Sequence, residues 1–207
     1  ICWVYREKLF QVAFTLPKSK ESRHFAYIIT LAFLPAAILG VMFHKEIKTI
    51  LFSPLVVSCM LIIGGIIILL IERMNITPKH NEIESISYRT AIAIGFCQAL
   101  AMIPGTSRSG ATIMGALLLK VERKTATEFS FFLAIPTMLG ATVYDLYKNW
   151  EYLQFNDAYL IGAGFISAFL SALLVVRTVV AFVGTHGFSP FAWYRIALGS
   201  LMLFFVI

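Results

Sequence analysis

The stretch IPGTSRSGAT, residues 103–112, places a charged side chain, Arg108, and several hydroxyl groups inside one of the most apolar parts of the chain. AIAIGFCQALAM precedes it and IMGALLL follows it. A charged side chain in such surroundings is costly to insert into lipid, and by default it marks a functional site. How the chain arranges this stretch therefore decides both the fold and the function.

The composition is that of a membrane protein. Of 207 residues, 59% are hydrophobic and only 14% are charged, and the mean hydropathy is +0.82. A soluble domain of this length cannot bury so much apolar surface. The net charge of +6 does not indicate a nucleic-acid partner, because the basic residues lie in short segments between apolar runs, where they encode membrane topology. We therefore predict an all-α, polytopic membrane protein.

Several apolar runs have the length of about 20 residues that a membrane-spanning helix needs. Open strands cannot satisfy their backbone in lipid, so all of these runs are expected to be helices. Trp193, Tyr194 and Arg195, near the start of the last run, are typical of an interfacial anchor with a snorkelling arginine. The predicted spans are 25–43, 51–71, 129–147, 159–182 and 191–207.

The remaining apolar stretch, residues 90–119, consists of two pieces that are each too short to cross a membrane alone. It is either one span broken in the middle or a re-entrant pair of half-helices that returns to its starting face. The loops richest in Lys and Arg, in 1–24, 72–89 and 120–128, fall on the cytoplasmic side only in the second case. The positive-inside bias therefore favours a re-entrant pair and a C-terminus outside.

A half-helix that starts inside the membrane presents free backbone N–H groups and the positive end of its dipole. Gly105, with the proline before it, forms the turn, and Thr106 or Ser107 can cap the helix. Arg108 and Thr112 are four residues apart and share a helix face. A guanidinium, hydroxyls and directed amides at one point predict a phosphate or pyrophosphate site.

The polar residues of this region also have a purely structural explanation. Taken alone, Arg108 could extend to the membrane interface while the serines hydrogen-bond to the backbone, but its place between two turn-forming elements favours a site. Gln98 lies on the preceding half-helix and is equally well explained by a helix–helix hydrogen bond or by a role in the site. The three cysteines have the spacing of no metal site.

At this point the residues resemble a known family. GFCQALAMIPGTSRSGAT (95–112) is similar to the second signature of the undecaprenyl-diphosphatase family, and EFSFFLAIPTMLGAT (128–142) to the span that follows it. The resemblance extends over essentially the whole chain. It implies an inverted repeat of transmembrane helices in which two re-entrant pairs meet at the membrane centre.

The resemblance also implies an activity. Members hydrolyse undecaprenyl diphosphate to the monophosphate in the bacterial inner membrane, which recycles the lipid carrier for peptidoglycan synthesis and gives bacitracin resistance. They need a divalent cation, Mg²⁺ or Ca²⁺. By motif match, the implied catalytic residues are Arg108, Ser107 and Thr112, and the implied substrate-binding residues are Gln98, Gly105, Thr106, Ser109 and Gly110.

One part of the family pattern has no match. The first signature, an E-x-x-x-E segment followed by a Ser/Thr-rich run and a histidine, is absent, and Glu72, Glu82 and Glu84 fit neither its spacing nor its context. The chain also begins ICWVYREKLF, an apolar segment followed by Arg6 and Lys8. We therefore expect that a segment preceding Ile1 supplies the cation ligands, that no metal ligand lies in 1–207, and that this fragment alone is inactive.

A lipid-phosphate transporter or flippase is the alternative, because re-entrant half-helices in an inverted repeat are also transporter architecture. Phosphate release from detergent-purified protein distinguishes the two functions. The expected partners are undecaprenyl diphosphate and membrane lipid, and a homodimer is left open.

Overall fold

The computed structural model describes residues 1–43, 53–150 and 157–206. In these ranges the chain is built from helices and their connections. Within them, four helices, α2, α3, α6 and most of α7, are long and apolar enough to cross a membrane. The helices are α1 (Arg6–Thr15), α2 (Lys20–Met42), α3 (Pro54–Arg73), α4 (Tyr88–Ala99), α5 (Arg108–Leu118), α6 (Arg123–Asn149), α7 (Asp157–His186) and α8 (Ser189–Val206).

The helices begin where the sequence provides caps. Ser19 accepts from the N–H of Ser22 at the start of α2, and Ser53, followed by a proline, accepts from the N–H of Val56 at the start of α3. The predicted spans fall on α2, α3, α6, α7 and α8 in order, and the helices mostly begin before and end after them. Residues 51–52 and 207 of two predicted spans lie outside the described residues.

The two short helices α4 and α5 form an antiparallel pair. A β-carbon at Gly115 of α5 would lie 2.5 Å from the Cβ of Cys97 in α4, so glycine allows the two backbones to approach closely. Gly95 of α4 does the same against the backbone carbonyl of Ala32 in α2. Helices α4 and α5 therefore pack closely against each other, and α4 packs closely against α2.

The two outer ends of this pair meet at the same place. The backbone N–H of Lys79 donates to the carbonyl of Lys120 (2.7 Å), and that of Glu122 donates to the carbonyl of His80 (2.8 Å). The chain therefore enters and leaves the α4–α5 pair at one end of the bundle, as the predicted re-entrant pair would require, and whether residues 90–119 re-enter the membrane stays a prediction. The side of the membrane at which it does so stays a prediction.

Ion pairs gather at that same end. Arg123, at the start of α6, donates to Glu72 of α3 (2.9 Å), and Lys8 of α1 pairs with Glu84. Partial burial alone would raise the pKa of Glu84, but the hydrogen bond and charge of Lys8 hold it below its usual value. Two of the basic residues that the positive-inside bias assigns to the cytoplasm, Lys8 and Arg123, thus have acidic partners at this end of the bundle.

The core lies between α2, α4, α5 and α6. Phe129, Phe132 and Leu133 of α6 are almost fully buried against Ile28 of α2 and Ile94 of α4. Most of the apolar side chains of α7 that the structure describes are exposed, a pattern that suits a helix facing lipid. The chain is an all-α polytopic membrane protein.

Candidate functional site

The site is built around the turn between α4 and α5. Gly105 has a φ of 88°, a conformation that side chains disfavour. A β-carbon there would also lie 2.5 Å from the carbonyl oxygen of Val57 in α3. The turn closes with a hydrogen bond from the N–H of Thr106 to the carbonyl of Ile103 (3.1 Å). Glycine is therefore required twice, for its backbone angle and for its contact with α3.

Of the two predicted helix caps, the structure selects Ser107. Its Oγ accepts from the N–H of Gly110 (3.1 Å) and lies 3.2 Å from the Oγ of Ser109. The hydroxyl of Thr106 is buried and has no partner among the described residues. Helix α5 thus begins at Arg108, with its positive dipole end at the turn.

Arg108 lies beside a cavity of about 520 Å³ between α2, α4 and α6. Its Nη1 donates to the backbone carbonyl of Ser130 in α6 (3.1 Å). Gln98 and Thr137 line the same space, and most of the remaining wall is apolar. We call this space the Arg108 cavity; its other lining residues include Phe33, Ala36, Ala37, Gly40, Met102, Gly140 and Tyr144.

The position of Gln98 agrees with both roles considered for it, a helix–helix hydrogen bond and a place in the site. It is 2% exposed, and its Nε2 donates to the Oγ1 of Thr137 in α6 (3.3 Å), which is a helix–helix hydrogen bond. It also lines the Arg108 cavity, and its Oε1 is buried without a partner among the described residues. An unpaired buried acceptor is unusual and needs an explanation.

Thr112 is placed differently from what the family resemblance implies. Its side chain is fully buried, and its hydroxyl donates to the backbone carbonyl of Arg108 (2.9 Å). In this structure it braces the first turn of α5 and lines neither described cavity. Its contact with a diphosphate stays a prediction.

The serines of the motif face the other side of the turn. Ser107, Ser109 and Gly110 line a second cavity of about 270 Å³ together with Tyr194 and Arg195 of α8. We call it the Arg195 cavity. Gly105 and Thr106 line neither of the two cavities. The predicted site residues therefore lie close together along the chain and border different ones of these two cavities, and their convergence on one ligand stays a prediction.

Arg195 is a residue of the site that sequence reasoning missed. The prediction that it snorkels to the interface is wrong: it is only 9% exposed. Its Nη2 donates to the backbone carbonyls of Gly105 (2.9 Å) and Met60 (3.1 Å). The available signal was a charge seven residues into an apolar helix, which indicates function by default, but the neighbouring Trp193 and Tyr194 favoured an anchor.

The described residues do not by themselves fit a divalent cation. Among them no group of three His, Cys, Asp or Glu side chains comes together. The side-chain oxygens around the Arg108 cavity are the carboxamide oxygen of Gln98 and the hydroxyls of Thr137 and Tyr144. Such neutral donors alone are a poor set for Mg²⁺ or Ca²⁺, which are held by carboxylates in proteins.

Comparison with known proteins agrees with the motif. The family described as "Bacitracin resistance protein BacA" matches residues 1–201. Undecaprenyl-diphosphatase 2 of Paramagnetospirillum magneticum is 54% identical over 202 residues, which are 98% of this chain and 77% of the relative. Undecaprenyl-diphosphatase 1 of Agrobacterium fabrum is 52% identical over 98% of this chain and 76% of its own length. With the turn, the arginine at the start of α5 and these relatives in agreement, the chain belongs to the bacitracin resistance protein family of undecaprenyl-diphosphatases.

Proposed function

We propose that this protein hydrolyses undecaprenyl diphosphate to undecaprenyl phosphate and inorganic phosphate, and thereby contributes to bacitracin resistance. The observation that carries the proposal is the position of Arg108, at the N-terminus of α5 and beside a largely apolar cavity. The relatives named above are undecaprenyl-diphosphatases. A phosphoanhydride on a lipid needs the combination that this cavity offers, a cationic end and apolar walls.

The cationic end can hold the diphosphate in two ways. Arg108 uses one of its donors on the carbonyl of Ser130, and a guanidinium has five N–H donors in a planar fork that suits phosphate. The dipole of α5 adds positive potential at the same point. Both effects grow as negative charge develops on the transferred phosphoryl group.

The apolar walls suit the polyprenyl chain. Phe33, Ala36 and Gly40 on α2 face Met138 and Tyr144 on α6 across the Arg108 cavity. The volume of about 520 Å³ lies within the range of small-molecule sites. We propose that the first isoprenoid units lie here and that the rest of the chain extends into lipid.

A divalent cation, Mg²⁺ or Ca²⁺, remains part of the proposal because the family resemblance implies one. When bound, it would neutralise part of the charge of the diphosphate. The described residues do not form its site. The check is direct: EDTA should abolish phosphate release, and added Mg²⁺ or Ca²⁺ should restore it.

The decisive experiment is phosphate release in detergent. The protein as expressed from its own gene is purified without vesicles and given undecaprenyl diphosphate. A diphosphatase releases phosphate at a rate proportional to protein concentration, whereas a transporter or flippase, which needs a membrane, releases none. The names of the relatives favour the hydrolase, and an absence of release from folded protein would overturn it.

The finer aspects of location are also proposals. We propose the bacterial inner membrane, with the shared end of the α4–α5 pair in the cytoplasm and the C-terminus outside. Cysteines introduced by Lys79→Cys or Lys124→Cys, with Cys2, Cys59 and Cys97 replaced, should be labelled from the cytoplasmic side only. Labelling of the two positions from opposite sides would mean that residues 90–119 cross the membrane.

A further inference from the structure

The proposed hydrolysis leaves one buried group of the Arg108 cavity without a role. The Oε1 of Gln98 is an acceptor without a donor among the described residues, on a side chain that is 2% exposed. Leaving such an acceptor unpaired is unfavourable. The Gln98 residue lines the same cavity as Arg108, so a ligand or water that enters from that cavity can supply the donor.

The orientation of the Gln98 carboxamide follows from its partner. The hydroxyl of Thr137 has one hydrogen, which it donates to the carbonyl of Leu133 (2.7 Å). Toward Gln98 the same oxygen can therefore only accept, and the contact of 3.3 Å must come from Nε2. The amide nitrogen is thus fixed toward α6, and the carbonyl oxygen is fixed on the opposite edge.

An oxygen in that position cannot touch the diphosphate directly, because phosphate oxygens at neutral pH are acceptors as well. It needs a neutral donor between itself and the phosphoryl group. Hydrolysis consumes such a donor, a water molecule. A carboxamide that orients water toward a phosphoryl group is a known solution in phosphoryl transfer.

We propose that Thr137 is a positioning residue for hydrolysis: it holds the Gln98 carboxamide so that Oε1 accepts a hydrogen bond from the attacking water. The water oxygen bonds to the distal phosphorus as the bond from that phosphorus to the bridging oxygen breaks. Both protons of the water leave on the released phosphate, so Gln98 accepts a hydrogen bond without taking a proton. This inference rests on the proposed function.

The test is Thr137→Val, which keeps the shape of the side chain and removes the acceptor. Gln98 can then rotate its amide toward the diphosphate, so binding is preserved while the water is no longer aligned. We expect kcat to fall about tenfold, the size of one hydrogen bond, and KM to stay within about twofold. Thr137→Ser retains the hydroxyl and should restore kcat.

The chain offers a matched control in Thr127. It lies on the same helix, is 2% exposed, and donates to the carbonyl four residues earlier (2.8 Å), as Thr137 does. Thr127 lines the Arg195 cavity and not the Arg108 cavity. Thr127→Val should therefore share any general cost of removing a backbone-bonded hydroxyl from α6 and retain several times the kcat of Thr137→Val. An equal loss of kcat in Thr127→Val and Thr137→Val would overturn the proposal.

The link through Gln98 is tested by a double-mutant cycle. Gln98→Leu removes the acceptor itself, so the pair Gln98→Leu with Thr137→Val should be no slower than Gln98→Leu alone. Multiplicative losses would show that Thr137 acts independently and would overturn the proposal. If Thr137→Val does not accumulate in the membrane, Thr137→Ala replaces it in both comparisons.

Failure of this proposal can be distinguished from failure of the proposed function. A wild-type protein that releases no phosphate refutes the hydrolase. An active wild type with an equally active Thr137→Val variant refutes only the role of Thr137.

Discussion

Arg108 and Arg195 approach the same turn from opposite sides, and the protein uses them differently. Arg108 belongs to the turn, makes one described hydrogen bond to a backbone carbonyl, and borders a cavity large enough for a ligand. Arg195 comes from α8 and donates to two carbonyls, one of them on Gly105 in the turn. Arg195 joins two backbone segments through one nitrogen, although its Nε is buried without a partner among the described residues, whereas Arg108 is half-buried. The difference teaches that the backbone partners of an arginine, more than its burial, separate one that holds the fold from one available to a ligand.

Arg108→Lys is the largest expected effect. A lysine keeps the charge but cannot present a planar fork, and loss of a charge-assisted pair in a dry site costs on the order of 2–4 kcal/mol. We expect kcat/KM for undecaprenyl diphosphate to fall roughly 30- to 1,000-fold. The thermal unfolding midpoint should change little, because Arg108 makes only one described bond to the protein.

The control for this prediction is Arg23→Lys, at an arginine that contacts only the exposed carbonyl of Pro17 in the described structure. It should leave activity unchanged. Activity of Arg108→Lys within about twofold of the wild type would mean that Arg108 does not hold the diphosphate.

Arg195→Lys, unlike Arg108→Lys, should clearly lower the thermal unfolding midpoint. Both bonds of Arg195 come from Nη2, and a lysine side chain ends one bond short of that position, so at least one charged hydrogen bond is lost at a cost of about 2–3 kcal/mol. For a chain of this size the unfolding midpoint should fall by about 4–10 °C. Activity should fall as well, since the turn that positions Arg108 is loosened. An unchanged midpoint with lost activity would place Arg195 with Arg108, as a ligand-binding group.

Sequence analysis named Arg108 as a candidate site residue but did not predict the buried position of Arg195, and the difference has a physical reason. The apolar runs, the Pro-Gly turn and the capping serine are local features, and the structure has a helix at each predicted span and Ser107 as the cap. The partners of Arg195 are 90 and 135 residues away along the chain, and no local pattern encodes such a contact.

The division of the motif between two cavities could have been anticipated. Ser107 caps α5 and Arg108 is its first residue, and successive residues of a helix point about 100° apart, which favours different directions for the two side chains. The hydrogen bond between Gln98 and Thr137, which are 39 residues apart, could not have been anticipated from the sequence, because it depends on how α4 packs against α6.

Gly105→Ala tests whether the turn itself supports both arginines. The positive φ costs an alanine roughly 1–3 kcal/mol, and its β-carbon would press on the carbonyl of Val57. We expect a lower unfolding midpoint and reduced activity together. Gly164→Ala is the matched control, since no atom lies near its β-carbon position. Equal midpoints in the two variants would show that the turn adapts and that the close contact with α3 is not limiting.

Ser107→Ala has the smallest expected effect and separates two roles of one hydroxyl. As the cap of α5, Ser107 accepts from the N–H of Gly110, and its loss should cost about 1 kcal/mol, or about 2–4 °C in the unfolding midpoint. Ser107→Asn restores a cap acceptor without restoring the hydroxyl, so the midpoint should recover. If activity recovers with it, Ser107 serves only to shape the helix start beside Arg108. If the midpoint recovers and activity does not, the hydroxyl takes part in the chemistry, as the family resemblance implies, and both sides of the turn belong to the active site.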